Sequence, residues 1–513
     1  MKFLNRINIK KILLIFLMIQ PILDIYIFFE KRVTSIIGFS PSTIIRIVVI
    51  GILFLLIVIS IKYTKKYLLF SLYIVILLVY LYLHYINVLN ISSKIPSNYS
   101  FSIITELFYI IRMLLPLIIA FITYHLKITK EDVKKVVFTI TIMISATIII
   151  TNILCLSISS YSTNDVLIKT NIFEWFMGAN KYFTNVELSS RGIFNSANQM
   201  GTLLNILLPI TCFFAITKKN IYSKIVVFLQ IIALIMIGSR VSSYTWIATL
   251  FVMIIIYLFF TVVKKTYKFD KNIILYFLIV GCLCGITLQY APIQNRYFAD
   301  YYKDKAEAME NKLVLEKEKI DDMIKYEGLS YNAKELVENF IGQYYSCYFL
   351  PKIFVEEIYN YHQDPMFWYD VVSMPYSSRS DSRQIEQLIT KHIYKLNDNA
   401  NDKYFGMSFS RFRNAGLYLE KDFIVHFYTL GIIGSSLLVY PYLLLLIIAG
   451  GILIFKYKEK LQFDTVVYCF SLSLACVLSF FSGSVLDQLV ITLILGFIGG
   501  LILTKSFKKK VGD

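Results

Sequence analysis

Apolar residues in this chain come in long unbroken runs separated by short polar stretches, and that spacing predicts its elements. The runs fall near 11–29, 41–61, 67–89, 101–124, 136–157, 200–217, 223–238, 239–262, 272–290, 423–455, 464–481 and 485–505. Each is long enough to cross a hydrocarbon layer of about 30 Å as a helix. The pattern predicts an all-α polytopic membrane protein with about twelve transmembrane helices and one large, mostly helical extracytoplasmic loop domain. The expected division is an N-terminal membrane bundle of nine helices over 1–290, which includes a polar loop at 158–199, then the loop domain 291–422. Three further helices and a basic cytoplasmic tail occupy 423–513.

Charge adds an orientation. With 57% apolar and only 17% charged residues the chain is not an ordinary soluble protein. Its net charge of +17 would suit nucleic acid, but the placement of the basic residues points elsewhere. Of 51 Lys and Arg, 25 sit in the two ends of the chain and in the alternate loops 62–66, 125–135, 218–224, 263–271 and 456–460. Those segments are expected on the cytoplasmic side. The long segment 291–422 holds 17 basic and 21 acidic residues, and is expected outside. The first run follows Lys2, Arg6, Lys10 and Lys11 as a signal peptide would, yet no small-residue cleavage site follows, so it is expected to stay as a helix. Six of the seven cysteines lie in apolar runs and only Cys347 in the outer segment, which leaves no outer disulfide. No cysteine or histidine spacing suggests a metal site.

Candidate chemistry begins at Ser189–Gly201, which carries Arg191, Gly192, Asn195 and Asn198 into the first turn of a hydrophobic helix. A helix start has unpartnered N–H groups and a positive dipole, so an adjacent arginine makes a phosphate site. The alternative is that Asn195 or Asn198 caps the helix and Arg191 snorkels. Gly238-Ser239-Arg240 repeats the arrangement as a tight turn into another inward-running helix. The ionisable residues inside the apolar runs, Asp24, Arg46, Glu106, Arg112 and Asp487, all fall in the outer half or near the middle, where Asp24 and Arg46 are placed to pair. Buried charges usually line a cavity or pair with one another, and Arg112, Glu106, Asn195 and Asn198 are the residues expected to line one here.

In the loop domain, 300–326 reads as an amphipathic helix with Met309, Leu313, Ile320 and Met323 near one face, and Ser377–Ile393 reads as another. The domain closes on Tyr404–Asn414, Glu420 and Asp422. Gly431 and Gly434 break the run that follows, leaving 421–430 as a short helix. A carboxylate beside an apolar surface has a raised proton affinity, which suits Glu420 or Asp422 as a general base. An ion pair with Lys421 or Arg413 is the alternative.

These stretches, in this order, resemble the O-antigen ligase and polymerase family of polytopic, GT-C-like membrane glycosyltransferases, and among them a Gram-positive polysaccharide polymerase. Arg191–Gly201 is similar to the family's Arg-x-x-Gly-x-x-x-Asn-Pro-Asn stretch, with Asn-Ser-Ala-Asn in place of Asn-Pro-Asn. Gly238-Ser239-Arg240 is similar to its Thr-x-Ser-Arg turn. Gly406–Arg411 and Glu420-Lys421-Asp422 hold the places before Gly431–Gly434 where the family has a Gly-x-Gly stretch and a histidine; His426 is near but out of register. The resemblance implies a donor glycan on undecaprenyl diphosphate and no cofactor or metal. Arg191, Arg240 and Arg411 would hold the diphosphate, and Glu420 or Asp422 would take the acceptor proton, with inversion. The implied function is polymerisation of lipid-linked oligosaccharide repeat units into a cell-surface polysaccharide at the outer face of the cell membrane, with both termini cytoplasmic. The implied partners are that substrate, membrane lipids, a flippase and a chain-length regulator, and no nucleic acid. The alternatives are a ligase passing a finished glycan to another acceptor, and a flippase or exporter of lipid-linked sugars. A transporter would also carry inner-half charges and inverted repeats, and the sequence shows neither.

Overall fold

The computed structural model describes residues 8–29, 40–60, 66–162, 166–296, 299–328, 330–379, 381–418, 420–481 and 483–507. Residues 30–39 between the first two runs, the basic residues Lys2 and Arg6, residues 62–65 of one basic loop and the end of the basic tail lie outside them. All twelve apolar runs contain helix. In chain order the principal helices are α1 (Ile9–Ile19), α2 (Pro41–Ser60), α3 (Lys66–Leu89), α4 (Ile103–His125), α5 (Lys130–Ile153), α6 (Ala197–Lys218), α7 (Ile221–Ile237), α8 (Arg240–Leu258) and α9 (Lys271–Tyr290). The polar segment supplies α10 (Ala299–Glu310), α11 (Val314–Glu327), α12 (Tyr331–Tyr344), α13 (Pro365–Val372), α14 (Ser382–Asn397) and α15 (Phe409–Asn414). The chain ends with α16 (Asp422–Leu438), α17 (Pro441–Phe455), α18 (Phe463–Phe481) and α19 (Leu489–Phe507). Extended pairing among the described residues is confined to isolated bridges such as Ser159 with Ser190. Among the described residues, ten helical stretches are long and apolar enough to cross a membrane, and α7 is a shorter apolar helix. This is an all-α, multi-pass membrane protein.

The chain folds into two compact units, the first made of Met1–Tyr67, Ile110–Arg296 and Leu438–Asp513, the second of Leu68–Tyr109 and Tyr297–Leu437. The second therefore joins the long polar segment to apolar residues of α3, α4 and α16.

The first unit is built around α6, which is buried on every side from Met200 to Ile216 because α5, α7, α8, α18 and α19 surround it. A helix apolar all round needs such enclosure, and its few polar groups need partners. Thr211 donates to Gln230 Oε1 (2.7 Å), and Gln230 Nε2 donates to Leu204 O (2.7 Å). Ser471 reaches Ile206 O. These bonds fall around Pro209, whose ring interrupts the helix ladder. On α19, a Cβ at Gly496 would lie 2.2 Å from Pro116 O and one at Gly500 2.7 Å from Ala120 O, so small residues bring α19 and α4 close.

At the end of this unit where α6 finishes, the lysines gather. Lys218 pairs with Glu131, Lys219 with Asp270, Lys10 with Asp132, and both Lys130 and Lys505 with the buried Asp464. Lys264 and Lys460 donate to the carbonyls of Tyr457 and Lys505. The basic loops 125–135, 218–224, 263–271 and 456–460 thus meet at one end of the bundle.

The second unit has a core of Val337, Ile341, Trp368, Ile385, Ile389, Ile393 and Phe412. Ile385, Ile389 and Ile393 line one face of α14 at four-residue spacing. Asp364 caps α13, accepting Phe367 N–H, with Pro365 at its first position. Fully buried Arg379 donates to Met374 O and Tyr348 O and pairs with Glu310. The single helix expected over 300–326 is two, α10 and α11, divided by a turn at 311–313. Leu313 and Ile320 still face the core.

Candidate functional site

Three helices of the first unit begin side by side, and the arginines of interest ride on or beside their starts. α6 begins after Ser196, whose hydroxyl accepts Gln199 N–H. Neither Asn195 nor Asn198 is the capping residue: Asn195 donates its backbone N–H to Asp24 O (2.8 Å), and Asn198 lies inside the first turn. α7 ends at Gly238 in a left-handed conformation (φ 68°), and Ser239 at once caps α8 by accepting Ser242 N–H (3.0 Å). A C-terminal glycine followed by an N-cap serine reverses the chain in two residues. α6 and α8 consequently run parallel with their starts adjacent. A Cβ at Gly201 would sit 2.0 Å from Ser242 Oγ, and Asn205 Nδ2 donates to Val241 O. The third start is that of α19, joined to α6 by a bond from Gln199 Nε2 to Gln488 Oε1 (2.7 Å) and to the chain after α1 by Gln20 Nε2 to Val490 O (2.9 Å).

Arg191 approaches this place on a loop held from several sides. Its N–H donates to Ile158 O (2.9 Å), and Ser190 N–H donates to Met236 O (2.8 Å). Gly192 turns the chain at φ +66° with its N–H on Ser157 Oγ (2.7 Å), and Gly238 packs against Ser189. The buried Arg191 guanidinium donates through Nη1 to Asn195 O (2.8 Å), closing a loop onto the start of α6. Arg240, first residue of α8, is exposed and forms no ion pair among the described residues. Below these, the expected pair of Asp24 and Arg46 forms and is buried, with Gln20 also bound by Arg46. Arg112 pairs with Asp487 (3.1 Å) and its carbonyl (2.7 Å), and its Nε–H has no partner among the described residues. Arg191 and the Asp24–Arg46 and Arg112–Asp487 pairs thus lie about the starts of α6 and α19, and Arg240 opens α8. In the nearby loop, the Lys169 ammonium and the Thr184 backbone and hydroxyl hold the Glu187 carboxyl down at about 2.

The second unit holds the remaining candidates. Glu106 is buried and spends its carboxylate on the start of α15: it accepts the N–H groups of Ser410 (2.8 Å) and Phe409 (3.2 Å) and the Ser408 hydroxyl. His84 Nε2 lies 3.1 Å from Glu106 Oε1, the oxygen that also accepts Phe409 N–H, while Nδ1–H donates to Phe405 O, so one proton lies between imidazole and carboxyl. Arg411 donates Nη1 to Tyr99 O (2.8 Å) and Nη2 to Val88 O (2.6 Å), the latter at the end of α3. Asn87 and Asn397 bind Asp402, whose carboxyl is pushed up by burial. Arg411 thus belongs to a different compact unit from Arg191 and Arg240, and both of its terminal nitrogens serve main-chain carbonyls.

Glu420 is half exposed and pairs with Arg383, not with Lys421 or Arg413. Its backbone N–H donates to Glu386 Oε2 (3.3 Å). Burial, and secondarily the Glu420 charge, pushes the Glu386 carboxyl up to about 8. Asp422 is buried at the start of α16. His426 is fully buried, with Nδ1 bonded to Tyr109 OH (2.7 Å) and no partner at Nε2 among the described residues. As expected, α16 breaks at a glycine: Gly431 has φ 69° and ψ −178°.

Sequence reasoning missed Glu386 and His84. The only trace of Glu386 is its position three residues after Arg383, on one face of α14; that of His84 is a lone imidazole in an apolar run. No group of three or more His, Cys, Asp or Glu among the described residues could hold a metal ion, and all seven cysteines are free thiols.

Comparison with known proteins returns one family, described as O-antigen ligase like membrane protein, matching residues 7–509. No curated protein and no solved structure matched the chain. The chain belongs to the O-antigen ligase like membrane proteins, and its activity is of that family's general kind, glycan ligation or polymerisation in the membrane.

Proposed function

We propose that the protein polymerises oligosaccharide repeat units carried on a polyprenyl diphosphate, at the outer face of the cytoplasmic membrane. The observation that carries this reading is the convergence of the α6, α8 and α19 starts beside Arg191 and Arg240. The lysine-rich end lies where α6 finishes, the opposite end of that helix, which supports placing the arginines on the outer leaflet by the positive-inside rule.

In the proposed reaction, Arg191 and Arg240 bind the diphosphate bridging lipid and donor sugar, and fixed donors stabilise the charge that grows there as the bond breaks. The acceptor hydroxyl oxygen attacks the anomeric carbon, the carbon–oxygen bond to the diphosphate breaks, and the lipid diphosphate leaves with the electron pair. Glu420 accepts the hydroxyl proton; its half-exposed carboxylate beside Arg383 is open to an incoming acceptor. The buried Asp422 serves less well as a base, and Arg411 acts indirectly, by fixing the segment between Gly406 and Asn414. Attack opposite the leaving diphosphate inverts the anomeric centre. A flippase delivering the repeat unit and a regulator of chain length would be natural partners.

The test is incubation of the purified protein with lipid diphosphate-linked repeat units. A ladder of longer products is expected. Arg240→Lys, which keeps the charge but loses the planar fork, should slow its formation on the order of 100-fold. Wild-type ladders from Arg191→Lys and Arg240→Lys would overturn the diphosphate assignment. A single transfer to a different acceptor, without a ladder, would mark a ligase.

A further inference from the structure

Most of the buried charges are accounted for by pairing or by the reaction proposed above. Glu386 is not. It stands on α14 with its carboxylate nearly enclosed, three residues after Arg383. That spacing places both side chains on one helix face, and both turn to Glu420. Arg383 Nε–H binds the Glu420 carboxylate, and Glu386 Oε2 accepts the Glu420 backbone N–H. One turn of helix therefore grips a single residue by its main chain and by its side chain. The grip matters because Glu420 lies in the link between α15 and α16, beside Lys421 in a left-handed conformation (φ 85°). The described residues of that link belong to no helix or strand.

We propose that Glu386 is a positioning residue of the glycosyl transfer: with Arg383 it holds Glu420 in the orientation in which its carboxylate receives the acceptor proton. This rests on the reading of Glu420 as the base. The charged groups that face Glu386 are Glu420 from the α15–α16 link and Arg383 and Asp381 from the start of its own helix. Burial keeps the Glu386 carboxyl protonated up to about pH 8. In neutral solution it therefore orients Glu420 without setting a second negative charge beside it. Above that pH the ionised Glu386 repels the Glu420 carboxylate and competes for Arg383, and the grip fails.

The test uses the full-length protein and undecaprenyl diphosphate-linked repeat units extracted from cells that lack it. Turnover is followed against pH and donor concentration. Glu386→Ala is expected to lower kcat on the order of 10- to 100-fold with KM for the donor unchanged, the cost of a misplaced catalytic group. Glu386→Gln keeps an oxygen for the Glu420 N–H, so it should recover most of that loss and remove the fall in kcat near pH 8. Glu420→Gln is run beside them. If Glu420→Gln is inactive while Glu386→Ala keeps wild-type kcat and pH profile, the positioning role is overturned and the base assignment stands. If Glu420→Gln is fully active, the base assignment falls and the positioning role with it. Where Glu386→Ala does not accumulate in the membrane, Glu386→Gln decides alone, and an unchanged alkaline limb overturns the proposal.

Discussion

Replacing Gly431 by alanine tests how the second unit holds its most irregular segment. Gly431 (φ 69°, ψ −178°) and Gly406 (φ 79°, ψ 169°) share a backbone region open almost only to glycine, and an alanine there costs about 1–3 kcal/mol. The two glycines also face each other. A Cβ on Gly431 would lie 2.4 Å from both C and O of Tyr404 and 2.6 Å from Gly406 N. These are main-chain atoms, clamped by bonds from Met407 N to Tyr428 O (2.8 Å) and from Ser408 N to Thr429 O (3.1 Å), so no side-chain rotation relieves the overlap. Overpacking of this kind adds about 1–3 kcal/mol. The sum, about 2–6 kcal/mol, is a large part of the roughly 5–15 kcal/mol that keeps a protein folded. The assay is thermal unfolding of the purified protein in detergent, where the loss should lower the transition of the second unit by at least about 5 °C. Gly285→Ala is the control: it is a helical glycine with nothing within 4 Å of its added Cβ, and should be neutral or gain up to about 1 kcal/mol. If the two variants melt at the same temperature, the back-to-back glycine contact does not hold this segment.

Two further outcomes are expected. Arg411→Lys cannot reach both Tyr99 O and Val88 O, so it should destabilise the second unit by about 1–3 kcal/mol, read by thermal unfolding. A raised KM for the lipid donor with unchanged stability would instead make Arg411 a direct diphosphate ligand. The Glu386 carboxyl, raised from its ordinary 4.5 to about 8, binds a proton in the folded state that the unfolded chain has released. Its stabilising contribution is therefore complete below about pH 4.5 and is lost as pH rises through about 8. Melting temperature should fall across that window, and the Glu386→Gln protein should show a flatter curve.

The sequence by itself determined the helices and their class, because an apolar run of membrane length has only one way to satisfy its backbone without water. It also marked the break at Gly431, the reversal at Gly238-Ser239 and the pairing of Asp24 with Arg46, since each follows from local stereochemistry or from charges on neighbouring helices. The loops richest in lysine were legible for the same reason, and the described ones at 125–135, 218–224, 263–271 and 456–460 do meet at one end of the first unit. Tertiary structure alone decided what each charged group spends itself on. Arg191 and Arg411 look alike as arginines near glycines and serines, yet one closes onto a helix start and the other is taken up by two carbonyls from residues more than 300 positions earlier. Glu106, visible in the sequence only as a charge in an apolar run, caps a short helix. Glu386 became visible only when Glu420 was brought against it. Partners of this kind lie far apart in the chain, and no local pattern encodes them, because burial and hydrogen bonding are assigned by which helices pack together and not by the order of residues.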